Sequence, residues 1–244
     1  MKKLVLIIND LPEVGKSSFS RVFEEFMGRK KIDYLPVSTA ETNLGHPTYW
    51  NLEDELETGQ IVSFVDRADV TVIDVATGDG GTLAEFFNEE DVFDLLLEME
   101  AELTLVVPVP NHAAISDEVV AIGEAFADNA DYVIVRTPVE FDEADDSSWV
   151  GTYGEKVMDY MGAHVVEAPG MDVTMLTEIE ESHGMGLARA LADRSALPRY
   201  LRDSLHAWEL EFSESLAGAP ELFIPAETGT KSVYGSAIDS LAKS

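Results

Sequence analysis

The chain has 244 residues and carries 47 Asp and Glu against 16 Lys and Arg, a formal net charge of −31 at pH 7. Its 45% hydrophobic content is enough for the core of one large domain, which excludes disorder of the whole chain despite the charge. So negative a field repels nucleic acid and anionic lipid at long range, and the absence of cysteine excludes disulfides, a thiolate nucleophile and Cys-based zinc or iron–sulfur sites.

Met1-Lys2-Lys3 followed by Leu4–Ile8 has the outline of a signal peptide. The apolar run is too short, however, and passes into Asn9-Asp10 without a small-residue cleavage site. No stretch approaches the ~18 apolar residues of a membrane span, so a cytoplasmic protein is expected.

In chain order, Leu4–Ile8 is a continuous apolar run, the pattern of a strand buried on both faces. Phe19, Val22, Phe23, Phe26 and Met27 then recur at helical spacing, with Arg21, Glu24 and Glu25 on the opposite side. Ile32–Val37 and the β-branched run Val70–Val75 are the next strands, the second leading into the turn Gly78-Asp79-Gly80-Gly81. A helical pattern follows in Leu83, Phe86 and Phe87 and again in Val92–Leu97. Leu103–Val109 is a strand, Ile115, Val119, Ile122 and Phe126 share a helical face, and Tyr132–Val135 and Ala163–Val166 are further strands. Strand and helix alternating in this order predict an α/β fold with a mostly parallel central sheet covered on both faces, a three-layer arrangement.

Pro138–Asp146 is acidic and predicted to be a solvated connection. Beyond it the pattern turns helical, with Leu201, Leu205, Trp208, Phe212 and Leu216 in one stripe that predicts core or a subunit contact. One domain spanning 1–244 is expected, an α/β core over about 1–170 and a helical C-terminal part over about 171–244.

The most specific chemistry lies directly after the first strand, in Asn9-Asp10-Leu11-Pro12-Glu13-Val14-Gly15-Lys16-Ser17-Ser18. Gly-Lys-Ser between a buried strand and an amphipathic helix is the end of a phosphate-binding loop. Backbone N–H groups at the helix N-terminus cradle phosphate, Lys16 adds a point charge, and the Ser17 hydroxyl can ligate Mg²⁺. The full pattern has glycine at the position of Asp10, where a carboxylate would sit near the phosphates and a residue tolerant of positive φ is lost. The competing reading is a plain strand-to-helix turn in which Gly15 serves packing and Ser17 caps the helix. Asp74, at the end of the run Val70–Val75, can hold the Mg²⁺ water shell, and the N–H of Gly78 can sense a terminal phosphate.

In these residues the sequence resembles the ParA/MinD-type ATPases, a deviant branch of the P-loop NTPase fold. Their loops read approximately Lys-Gly-Gly-Val-Gly-Lys-Ser/Thr-Ser/Thr, and Val14-Gly15-Lys16-Ser17-Ser18 matches the latter part. Asp74 and Gly78 resemble the second switch, and Leu103–Pro110, Ser116 and Asp131–Arg136 resemble later elements, a likeness spanning about residues 1–170. It implies ATP and Mg²⁺ as cofactors, nucleotide contacts from Val14, Gly15, Lys16, Ser17, Ser18 and Gly78, and metal contacts from Ser17 and Asp74. It also implies a protein partner, a nucleotide-dependent homodimer, and a switching role in plasmid or DNA partition, conjugation or positioning.

Several positions depart from the family pattern. Leu11 stands where the family has the lysine that reaches a partner subunit's phosphate, and Pro12 and Glu13 replace the loop glycines. Val135-Arg136-Thr137 lacks the Asn that reads adenine, and Glu41 is the sole carboxylate in the Ser38–Asn43 segment where the family has its catalytic Asp. Lys16 and Glu41 are therefore the catalytic candidates for a weak ATPase. A non-hydrolysing, partner-binding protein on the same fold is the first alternative. The second is a small-molecule kinase with Arg189, Arg194, Arg199 and Arg202 as its lid. Those arginines serve equally as a local basic patch for DNA, or as a solvated helix face.

Other chemistries lack support. The five histidines show no ligand-spaced pair, no Gly-x-Ser-x-Gly elbow is present, and Gly78–Gly81 has the wrong spacing for a dinucleotide fingerprint. Tyr49 and Trp50 are expected to be buried.

Overall fold

A computed structural model describes residues 1–40, 48–54, 56–137 and 148–225. The chain begins with β1 (Lys2–Ile7) and α1 (Lys16–Lys30), then β2 (Tyr34–Ser38) and the two-residue β3 (Thr48–Tyr49). Next come α2 (Thr58–Asp66), β4 (Val70–Asp74), α3 (Gly80–Glu89), α4 (Val92–Glu98) and β5 (Ala101–Pro110). α5 (Ser116–Phe126), β6 (Asp131–Thr137), α6 (Tyr153–Tyr160) and β7 (His164–Glu167) follow. The C-terminal part holds α7 (Val173–Thr177), a π-helical turn Glu178–Ser182, α8 (Leu187–Ala192) and α9 (Arg199–Leu216).

Seven strands form one sheet in the order β3-β2-β4-β1-β5-β6-β7, and every pairing is parallel. The continuous apolar runs have their physical cause here, because the central strands meet helices on both faces. Leu4, Leu6 and Ile8 pack with Leu83, Phe87, Val119 and Phe126, while the alternate residues Val5 and Ile7 pack with Phe19, Phe23, Phe212 and Leu216. The expected three-layer α/β fold is present, and its sheet is parallel throughout the described residues.

Local differences from expectation concern short elements. β3 and α2 were not legible. β3 is two residues long, and α2 buries only Ile61, Phe64 and Val65, opening on a capping box between Glu57 and Gln60. α6 was also missed, since Gly154 and Met158 are its only buried residues. Trp50 is buried against Phe64 and Phe86, as expected, whereas Tyr49 is 47% exposed because it lies at the sheet edge. The acidic segment Pro138–Asp146 lies outside the described residues.

The apolar stripe of α9 divides its work. Leu201 and Leu205 join Ile179, Leu191 and Leu197 in a separate cluster, Phe212 and Leu216 join the sheet-facing core, and Trp208 touches both. Trp208 Nε1–H also donates to the Pro169 carbonyl at 2.8 Å. The C-terminal helices are thereby tied to the face of the sheet that carries α1.

For function, the decisive register is Ile7 opposite Asp74. It makes the loop after β1 and the loop after β4 leave the sheet side by side at the carboxyl ends of two central strands. Open α/β sheets present their ligand crevices at such ends.

Candidate functional site

The loop from Ile8 to Gly15 ends on a left-handed residue. Gly15 has φ +94° and is the N-cap of α1, and a Cβ added there would meet no atom within 4 Å. Its glycine therefore answers a backbone requirement and not the close packing of the competing reading. Glu13, at φ +60°, takes the same region with a side chain, which is where the lost loop glycine has its cost. No side chain caps α1 and its first turn carries no acid, so its first amides keep their positive end for an outside anion. A cleft of about 660 Å³ opens over this turn.

Lys16 is 7% exposed and folds back over the loop. Its Nζ donates to the carbonyl oxygens of Asn9 and, at 3.2 Å, Leu11, and to Thr77 Oγ1 at 3.1 Å. Burial pulls its pKa down, opposed by the negative charges of Asp74, Asp10, Glu118 and Asp79. The ammonium thus bridges the β1 and β4 loops.

Asp74 is 5% exposed, and burial pushes its carboxyl up to about 6, against the pull of Lys16 and of a hydrogen bond with the Ser17 side chain. Ser17 and Asp74 are thus in contact, a hydroxyl and a carboxylate with hard oxygen donors suited to Mg²⁺. A buried carboxyl in contact with a hydroxyl that lines the cleft fits a divalent cation held partly by water. Among the described residues no group of three or more His, Cys, Asp or Glu is placed to hold a metal ion.

Asp10 is held by backbone donors at the start of α3. Its carboxylate accepts from the backbone N–H groups of Gly78 at 3.1 Å, Gly80 at 2.8 Å and Gly81 at 3.2 Å, where α3 begins. Its own N–H donates to Glu118 Oε1 at 2.9 Å. Asn9, fully buried, donates from Nδ2 to the Pro108 carbonyl at 2.9 Å and accepts the Leu11 N–H at 2.9 Å. Thr39 adds a further tie, accepting from the Ala76 N–H at 2.8 Å and donating to Asp79. The loop is therefore fastened to β5, α3 and α5 by polar bonds.

Of the residues singled out in the sequence, Gly15, Lys16, Ser17 and Ser18 line the cleft together with Val14, which is buried, while Asp74 reaches it through Ser17. Gly78, at φ +90°, follows the cleft-lining Thr77, and its N–H is taken by Asp10. Glu41 lies outside the described residues. Leu11, at the position of the family's bridging lysine, packs against the main apolar core. Glu13 also lines the cleft, and Thr77, Glu180, Gly186, Leu187 and Ala188, which were missed, complete its wall. The missed residues come from the β4 loop and from the C-terminal helices, and no local motif marks residues assembled from such distance. Arg194 is held by Glu209 at 2.5 Å, and Arg199 lies 3.5 Å from Asp203.

No family model and no curated protein matches the sequence. Solved structures do match. The MinD cell division protein of Aquifex aeolicus has a TM-score of 0.50 at 11% identity, over 89% of this chain and 98% of that one. The Aquifex aeolicus MinC:MinD complex has a TM-score of 0.47 at 12% identity, over 89% and 96%. The Cyanothece McdA–ATP complex has a TM-score of 0.41 at 11% identity, over 89% and 96%. At such identities the likeness is one of fold: the chain has the α/β, parallel-sheet architecture of MinD.

Proposed function

We propose that this chain is a ParA/MinD-like nucleotide-binding protein that takes a Mg²⁺-nucleotide at the Lys16 loop and acts as a molecular switch through a protein partner. The observation that carries the proposal is the Gly15 turn, with φ +94°, delivering an uncapped helix N-terminus and Lys16 to one cleft. The amides of Lys16, Ser17 and Ser18 and the Lys16 ammonium hold phosphate, and Ser17 with Asp74 holds Mg²⁺, whose chemistry is charge neutralisation on the phosphates. The adenine nucleotides ATP and ADP are the proposed ligands, in keeping with the family resemblance. No described helix is long and apolar enough to cross a membrane.

A protein partner is favoured over direct DNA contact. The net charge is −31, and Arg194 and Arg199 of the candidate C-terminal basic stretch face acidic neighbours. Partition, conjugation or positioning of a cellular cargo is the class of role proposed, with a nucleotide-dependent homodimer as its assembled form. The second reading, a partner-binding protein that does not hydrolyse, is favoured by Leu11, an apolar, half-buried side chain packed against the core where the family has its lysine. A phosphate-release assay at saturating Mg·ATP separates the two, turnover abolished by Lys16→Ala supporting the ATPase.

Isothermal titration with Mg·ADP and Mg·ATP tests binding itself. Heat of binding in the wild type that Lys16→Ala abolishes is expected. No binding of either nucleotide, or binding indifferent to Lys16→Ala, overturns the proposal.

A further inference from the structure

The two helix N-termini beside the cleft are treated in opposite ways. α1 has no side-chain cap, while three amides at the start of α3 converge on one carboxylate, that of Asp10. We infer that Asp10 is a specificity-determining residue that occupies the donors a third phosphate would need, so that the cleft takes a nucleoside diphosphate in preference to a triphosphate. The inference rests on the nucleotide reading above and deepens it.

The placement follows from Lys16. Its Nζ touches Thr77 Oγ1 at 3.1 Å, so the segment after β4 lies against the ammonium that a loop lysine extends toward the second and third phosphates. A phosphate chain growing from the α1 amides past Lys16 meets residues 77–81. There the N–H groups of Gly78, Gly80 and Gly81 are the converging donors, and Asp10 has all three. A third phosphate at that point loses its donors and faces the carboxylate itself. Asp79 and Glu118, both within electrostatic reach of Lys16, add to the repulsion. A diphosphate needs only the α1 turn and Lys16, and leaves the three amides with Asp10.

Two features show that the contact is built in. Glu118 on α5 accepts the Asp10 N–H at 2.9 Å and fixes the residue from behind. Gly80 has no side chain where a Cβ would lie 2.7 Å from Asp10 Oδ1, so only glycine leaves room for the carboxylate. The switch segment Thr77–Gly81 is consequently held in place by a residue of the chain, with no phosphate required.

The test compares ADP with the non-hydrolysable analogue AMP-PNP, at fixed free Mg²⁺, by titration calorimetry on the wild-type chain and its Asp10→Ala, Asp10→Asn and Lys16→Ala variants. Asp10→Asn removes the charge with the shape kept, and so stands in if Asp10→Ala fails to fold. The wild type is expected to prefer ADP by at least about tenfold, Asp10→Ala to bring the ratio near parity by tightening AMP-PNP more than ADP, and Asp10→Asn to lower it by at least about threefold. Wild-type binding of AMP-PNP as tight as ADP, or a ratio unmoved in both variants, overturns this inference while Lys16-dependent binding leaves the nucleotide site standing. Absence of any Lys16-dependent binding overturns the nucleotide reading, and the inference with it.

Discussion

Replacing Asp74 with asparagine is expected to stabilise the protein above pH 6 and to leave it unaltered near pH 4. The carboxyl is 5% exposed, and burial raises it from an ordinary 3.8 to about 6. A group with a raised folded value contributes stability that is complete below its unfolded value and is lost as pH rises through the folded one. The window therefore runs from about pH 4 to about pH 6. A rise of about 2 units at ~1.4 kcal/mol each sets an upper bound of about 3 kcal/mol on the loss. Asparagine keeps the shape and a hydrogen-bonding partner for Ser17 but has no ionisation to suffer. Urea unfolding of both proteins between pH 4 and pH 8 measures the gap, and the subtraction removes the titration of the many surface acids common to both. The gap should open in favour of Asp74→Asn as pH rises and level off above pH 6. A gap constant across the range, or one that favours the wild type as pH rises, refutes the reasoning.

Gly15→Ala places a side chain at φ +94° where no atom obstructs it, so the cost is conformational, about 1–2 kcal/mol of stability in urea unfolding. Loss of phosphate-loop geometry should accompany it as weaker nucleotide binding; an unchanged stability contradicts the strain argument. Phe223 is fully buried, edge-on to Phe23 at 5.2 Å and Phe26 at 6.2 Å, so Phe223→Ala should cost about 3–5 kcal/mol in thermal or chemical unfolding. A cost below ~1 kcal/mol would show that the segment after α9 does not contribute to packing on α1.

The sequence announced its strands because those of the sheet's centre are buried on both faces and read as unbroken apolar runs, Leu4–Ile8 and Leu103–Val109 foremost. α1 and α9 were legible because their apolar residues recur every three or four positions, while α2 and α6 bury too few residues to write a period. The phosphate loop was legible because Gly15, Lys16 and Ser17 are neighbours in the chain. Glu180 and Gly186 were not, since only the docking of the C-terminal helices brings them to the cleft. Asp10 marks the limit most clearly. Its departure from glycine was visible, and so was the Gly78-Asp79-Gly80-Gly81 turn, but the hydrogen bonds joining the two span about seventy residues. A glycine-rich helix start together with an unexpected carboxylate was the available signal.

Crystals grown with Mg·ADP test the central claim most directly, because Lys16 has a defined resting geometry. Nucleotide is expected in the cleft over α1, with a phosphate oxygen within hydrogen-bond reach of the Lys16, Ser17 and Ser18 amides and Lys16 Nζ drawn from the Asn9 and Leu11 carbonyls toward that phosphate. An empty cleft at saturating Mg·ADP, with Lys16 Nζ still on those two carbonyls, would contradict it.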